Sequence, residues 1–416
     1  KGFYDSALSV YNKAIIIYGE SSGNYDSKIA GCYFDIGWVY AAKGQLGKAL
    51  EFNMKSLKIR LELYGENSLL TSNTTSMIGW CYNNMGYHIK ALEFHQKSLG
   101  IRIRKLGKSH PNVAISYLSI GNIYRNLGQY DKAITFLNEG TRIWISKFGE
   151  EDIPLIRNYN SLARAHRARG NIDETMHFLN KAIKVSENKS EANPDLFQTY
   201  RILAKVQQSK KDFRNQLNSL KKAELIAIKT FGQNHQNLGY IKSDLAEYFK
   251  LNKDFNIAAN LHQQAISILI KRLGSIHPHI AREYLHMGNL FKEKGDFEQS
   301  LEYYNEVLKS ALIDFKTGKI DPKQETGAIG PRLIGIRTFS QIASVMAMQW
   351  KRNESDLHLL KETLKTYEKS INLINEVRKL YSTTEDKQQL YEGAINTFDR
   401  AVAIAVQLYQ LTDDKS

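Results

Sequence analysis

Cysteine and proline are nearly missing from this chain: two and six residues respectively in 416. So few prolines leave long helices unbroken and argue against a turn-rich all-β fold. Cys32 and Cys81 cannot build a disulfide framework, and neither has a metal-type partner at close spacing. They read as half-buried helix residues in a reducing compartment, which makes a cytoplasmic location the expectation. A run of about 18 apolar residues is also lacking, so no segment reads as a membrane span. Motifs that carry chemistry are missing too: there is no Gly-x-x-x-x-Gly-Lys loop, no Gly-x-Gly-x-x-Gly and no His-Glu-x-x-His. Carboxylate pairs such as Glu150–Glu151 and Asp413–Asp414 read as solvated surface. The expectation is a chain without catalysis of its own, without cofactor and without metal.

Acidic residues are outnumbered, 43 to 57, for a net charge of +14. That surplus attracts acidic protein segments, nucleic acid or anionic surfaces, and alone does not choose among them. No block of five like charges occurs, so the basicity is spread over folded surface. The chain opens at Lys1 without methionine and already in mid-pattern, so its natural start is expected upstream and a missing leader carries no information.

What is present is a repeat. The turns in "KGQLGKAL", "MGYHIKAL", "LGQYDKAI" and "RGNIDETM" align with "KGFYDSAL", placing Gly2, Gly44, Gly86, Gly128 and Gly170 at steps of 42 residues. The series runs on through Lys211, Lys253 and Gly295. Seven residues before each turn stands a small residue, Gly37, Gly79, Gly121, Ala163, Ala204, Ala246 or Gly288, where two helices can approach closely. Aromatics recur before the turn (Tyr40, Tyr82, Tyr124, Phe249, Phe291) and after it (Phe52, Phe94, Phe136, Phe178, Tyr303). Glycine at the turn supplies a backbone conformation other residues reach only with strain, so the two lysines leave the geometry of their turns open. Each unit is expected to be helix, tight turn, helix.

This bulky–small–aromatic pattern resembles the tetratricopeptide repeat over roughly residues 1–310, about seven and a half units. The usual repeat is about 34 residues; the extra eight fall at the end of the second helix, in "SLKIRLELYGENS" and its equivalents, lengthening it by about two turns. In that respect the units look like the repeats of kinesin light chains. The resemblance implies an all-α, right-handed superhelical solenoid of antiparallel helix hairpins that binds protein or peptide on its concave face. His110, His235 and His277 share one inter-repeat position, which suggests capping of the next helix.

Residues 311–330 break the period and read as a loop or linker about which the last helices could move. Helices are expected at about 331–351, 354–381 and 384–412. This segment, 331–416, with "TYEKSINLINEVRKLY" and "YEGAINTFDRAVAIAVQLYQLT", resembles the region upstream of the caspase-like CHAT domain in bacterial proteins that join such repeats to a peptidase. The resemblance implies the sensor half of a CHAT-type protease whose catalytic residues would lie beyond Ser416.

The first helix of each unit should line the binding face, through one stripe of side chains. That stripe carries Trp38 and Trp80, then Asn122, Arg125, Asn160, Arg164, Arg167, Arg201 and Lys205, then Lys250, Asn289 and Lys292. Guanidinium forks suit carboxylates and phosphates, and asparagine can pair with an extended backbone. The expected ligand is an extended acidic peptide, its apolar anchor on the tryptophans, or a CHAT peptidase domain on the same chain. Nucleic acid on the basic face is the alternative, although the stripe lacks regular interleaving of aromatic and basic residues.

Overall fold

The structure is a computed structural model, and it describes residues 2–21, 23, 25–187, 193–319, 329–380 and 384–413. Eighteen helices and no strand are found among them. They fall into two compact units, Lys1–Gln233 and Asn234–Ser416. No helix among the described residues is long and apolar enough to cross a membrane.

The first unit holds α1 (Gly2–Glu20), α2 (Asp26–Ala42), α3 (Leu46–Tyr64), α4 (Leu69–Asn84), α5 (His88–Leu106) and α6 (Pro111–Asn126). It continues with α7 (Tyr130–Phe148), α8 (Leu155–Arg169), α9 (Ile172–Glu187), α10 (Pro194–Ser209) and α11 (Phe213–Phe231). From α2 onward the helices pair as hairpins, α2 with α3 through α10 with α11, and each hairpin packs on the next. Second helices α3, α5, α7 and α11 are 19 residues long, against 15 to 17 in the first helices α2, α4, α6, α8 and α10.

The hairpin turns explain the sequence spacing. Gly44, Gly86, Gly128 and Gly170 all take positive φ, between 75° and 92°. At each, the residue after the glycine donates its N–H back to a carbonyl five residues earlier, as Gln45 does to Tyr40 at 2.9 Å. This closure satisfies carbonyls that a helix end leaves open. Lys211 forms the same turn at φ 56°, with Asp212 donating to the Gln207 carbonyl at 2.9 Å. Lysine therefore preserves the geometry there, at the cost of a left-handed backbone.

The small residues do what close packing requires of them. A Cβ built on Gly121 would meet Leu137 Cγ at 2.7 Å, and one on Gly79 would meet His95 Cδ2 at 2.8 Å. The facing residue lies 16 positions later throughout: Asn53, His95, Leu137, Leu179 and Leu220 are all buried. Beside this seam the aromatics pair, with Tyr40–Phe52, Tyr82–Phe94 and Tyr124–Phe136 at 5.4, 5.5 and 5.2 Å between ring centroids. Buried arginines tie one hairpin to the next: Arg60 donates to Thr74 Oγ1 at 2.6 Å, and Arg102 to Ser116 Oγ at 2.7 Å. Burying such cations is tolerated because Nη1 of each donates to both a hydroxyl and a carbonyl, although Arg102 Nε is left without a partner.

The second unit holds α12 (Gln236–Leu251), α13 (Phe255–Leu273), α14 (Pro278–Lys294), α15 (Phe297–Ser310), α16 (Ile329–Trp350), α17 (Leu357–Leu380) and α18 (Thr384–Asp413). Two hairpins, α12–α13 and α14–α15, keep the same seam, with Gly288 closed by Tyr304 and His262 buried 16 positions after the buried Ala246. Lys253 turns at φ 65° and Gly295 at 82°. The last three helices pack on one another around Ala343, Leu360 and Tyr367, and α16 also packs on α14 and α15. The expected linker lies partly outside the described residues, at 320–328. Its first part is a turn in which Asp314 Oδ1 accepts from the Thr317 N–H at 2.7 Å, and Lys369 of α17 donates to the Phe315 carbonyl at 3.1 Å.

The inter-repeat histidines are helix caps. Nδ1 of His110, His235 and His277 accepts the N–H of the residue two further on, at 3.1, 3.2 and 3.1 Å. Each thereby satisfies one of the open donors at the start of α6, α12 and α14.

Candidate partner-binding site

In the first unit the stripe of first-helix residues converges on one concavity of about 420 Å³. Arg125 comes from α6, Arg164 and Arg167 from α8, and Arg201 and Lys205 from α10. Spacings of three and four put the paired cations on the same side of their helices. Stacking of successive hairpins, in which α8 packs on both α6 and α10, then brings the three contributions together. None of the nine residues lining the concavity is acidic.

Arg164 sits deepest. Its Nη2 donates to Gln198 Oε1 at 2.8 Å. Burial, then the nearby Arg125, Arg201 and Arg167, lower its affinity for the proton to a pKa of about 10. Arg125 is lowered in the same direction, by burial and then by Arg167, and it donates to Asn126 Oδ1 at 3.0 Å. Arg201 lies over the Phe197 ring at 5.3 Å. The cations therefore repel one another at close range, and an anion in the concavity would relieve that repulsion.

The other expected residues are placed differently. Trp38 and Trp80 are exposed, at 59% and 40%, and do not line the concavity. Asn160 is buried, and its amide is spent on the Asp195 carbonyl at 3.0 Å. Asn122 donates to the Leu118 carbonyl of its own helix at 2.9 Å. Both asparagines thus serve the helix stack.

Lys250, Asn289 and Lys292 belong to the second unit, and each is engaged within it. Lys250 Nζ lies 3.0 Å from Glu247 Oε2 and 3.4 Å from Glu293 Oε1. Burial would lower its pKa, but these carboxylates outweigh burial and raise it. Asn289 Oδ1 accepts from the Tyr304 hydroxyl at 2.8 Å. Lys292 donates to Gln341 Oε1 at 2.9 Å and Ser344 Oγ at 2.8 Å, so α16 occupies the place over α14 that a peptide would need. Burial, then Arg400, lowers its pKa.

Two polar residues that line the concavity were not expected. Tyr130 opens α7 immediately after a hairpin turn, and Gln198 continues the α10 stripe one turn above Arg201. Extending the stripe by one turn finds Gln198; no sequence signal marks Tyr130.

Models of the tetratricopeptide repeat match residues 71–146 and 112–188 in one form and 30–62 and 281–312 in another. These segments are tetratricopeptide repeats, and the fold is an all-α helical repeat solenoid. No curated protein sequence matches the chain. Among solved structures, the apo form of the quorum sensor NprR from B. thuringiensis has a TM-score of 0.53 at 16% identity, over 73% of this chain and 82% of that one. BtubC (BKLC) from P. vanneervenii gives 0.45 at 19% identity, over 55% and 91%. A Rap protein complexed with Competence and Sporulation Factor gives 0.49 at 12%, over 92% and 99%.

Proposed function

We propose that the chain is a peptide- or protein-binding scaffold whose first unit captures a segment rich in carboxylates. The single observation that carries this is the concavity lined by Arg125, Arg164, Arg167, Arg201 and Lys205, with no acid among its lining residues. Guanidiniums take carboxylates in paired hydrogen bonds, and a partly desolvated cluster strengthens each of them. The exposed Trp38 and Trp80 offer apolar anchor points elsewhere on the first helices of the same unit. The fold likeness to a quorum sensor supports a sensing role. Long second helices support a kinesin-light-chain-like repeat of 42 residues. The likeness of α17 and α18 to the region preceding CHAT peptidases supports the finer reading, a sensor half of such a protease. Sequencing the parent reading frame beyond Ser416 tests that part: a caspase-like histidine and cysteine would support it, and an early stop would refute it.

The binding reading is tested by fluorescence anisotropy with a fluorescein-labelled peptide of alternating Glu and Ser. Arg164→Glu/Arg167→Glu/Arg201→Glu should weaken binding at least tenfold with the circular dichroism unchanged. The exposed pair Arg167→Glu/Lys205→Glu should act in the same direction without touching the half-buried Arg164. Unchanged binding in both would sink the proposal. The same cations also favour a second reading, single-stranded nucleic acid. A dT oligonucleotide that binds more tightly than the peptide, with a steep salt slope of roughly 0.7 per phosphate contacted, would establish that reading instead.

A further inference from the structure

Four polar side chains of the second unit gather at one place. At the position facing the helix crossing, leucine stands in three units (Leu137, Leu179 and Leu220), and α13 carries His262 with no exposure at all, as α5 carries the buried His95. One repeat step before Asn289 stands Glu247 on α12. On α14, Glu283 is buried at 4% exposure, and His286 lies one turn beyond it.

Their atoms converge. Glu247 Oε1 lies 3.0 Å from His286 Nδ1 and 3.4 Å from His262 Nε2, and the three lie within 4.8 Å of one another. Yet Glu247 Oε1 and His262 Nε2 are both buried without a hydrogen-bond partner. Their remaining polar atoms are already committed: Glu247 Oε2 lies 3.0 Å from the Lys250 ammonium, and His262 Nδ1 lies 3.0 Å from Glu283 Oε2. If His262 Nδ1–H donates to the Glu283 carboxylate, Nε2 carries a lone pair directed at the same point as Glu247 Oε1. A carboxylate behind a histidine, orienting it toward a metal, is the usual outer-shell arrangement of such sites.

Charge points the same way. Glu247 and Glu293 flank one lysine, Lys250, and Glu283 lies against His262, so three carboxylates against one ammonium leave the cluster two negative charges in excess when both imidazoles are neutral. A divalent cation would neutralise it. Two nitrogens and one carboxylate oxygen, with a fourth position open to water past the partly exposed His286 and Glu247, form a donor set that suits Zn²⁺.

We propose that His262, His286 and Glu247 form a Zn²⁺ site, oriented by Glu283, that ties α12, α13 and α14 together. The site lies wholly in the second unit and is independent of the basic concavity.

The test uses the full chain, stripped with chelator and titrated with ZnCl₂ by calorimetry, and with Co²⁺ followed by its visible absorption. One Zn²⁺ per chain is expected, with a tetrahedral Co²⁺ spectrum. His286→Ala, at a half-exposed position that leaves the core intact, should weaken binding at least tenfold and abolish the spectrum. Glu283→Gln should weaken it about 10- to 100-fold, as loss of an outer-shell partner does. No binding by the native chain would overturn the proposal and leave the cluster a network of ion pairs. So would Zn²⁺ binding that His286→Ala and Glu247→Gln both leave unchanged, since the ion would then sit elsewhere.

Discussion

Replacing Lys211 or Lys253 with glycine should stabilise the protein, although each substitution removes a side chain and adds no contact. Both lysines hold left-handed backbone, φ 56° and 65°, at the turn position that glycine fills in the other units. For a residue with a Cβ that conformation costs about 1–2 kcal/mol. Glycine removes the strain but makes the unfolded chain freer, which takes back about 0.4–1 kcal/mol. Both side chains are exposed, so no packing is lost with them. The net gain should be about 0.5–1 kcal/mol at each site, or roughly 1–4 °C in melting temperature for units of this size. The reverse change, Gly128→Lys at φ 75°, should lose about the same amount. Urea unfolding of the three variants against the native chain provides the measurement. Because Lys211 and Lys253 lie far apart in sequence and in different units, the double variant should show the sum. A destabilised Lys253→Gly, or a neutral Gly128→Lys, would show that backbone conformation is not why glycine recurs at these turns.

Two further perturbations probe the seam between helices. Gly121→Ala places a Cβ 2.7 Å from Leu137 Cγ and 3.0 Å from the Ala133 carbonyl; overpacking of that kind should cost about 1–3 kcal/mol by denaturant titration, less up to about 1 kcal/mol of helix propensity. His95 occupies the same facing position as Leu137, and burial, then the neighbouring Arg102, lower its pKa from 6.5 to about 4. Its unfolded form binds the proton first, so stability is full above pH 6.5 and falls as the pH drops toward 4, by up to about 3 kcal/mol. His95→Leu should flatten that loss while packing against Gly79 as Leu137 packs against Gly121; equal acid sensitivity in urea titrations at pH 7 and pH 4.5 would refute the assignment.

Much of this molecule is a local property of its sequence. Turn positions, the small-residue crossings, the aromatic pairs and the histidine caps each depend on residues within one or two helices, so a periodic sequence displays them directly. Gln45 reaches Tyr40, and His110 caps the helix that begins at the next residue. Even the convergence of Arg164, Arg167 and Arg201 could be read, because stacked hairpins carry one stripe from unit to unit. What the stripe could not reveal is which of its members are already engaged. Asn160 is consumed by a carbonyl 35 residues away, and Lys292 by Gln341 and Ser344, 49 and 52 residues on. The metal-type cluster is the sharper case. Glu283 and His286 stand three apart on one helix, but Glu247 and His262 lie on two others, and only the packing of three helices brings the unsatisfied Glu247 Oε1 and His262 Nε2 beside His286. Sequence determines where a helical hairpin turns and which face it buries, because those are short-range matters of backbone and volume. Tertiary structure alone decides which polar groups remain unsatisfied, because that depends on partners brought in from distant parts of the chain.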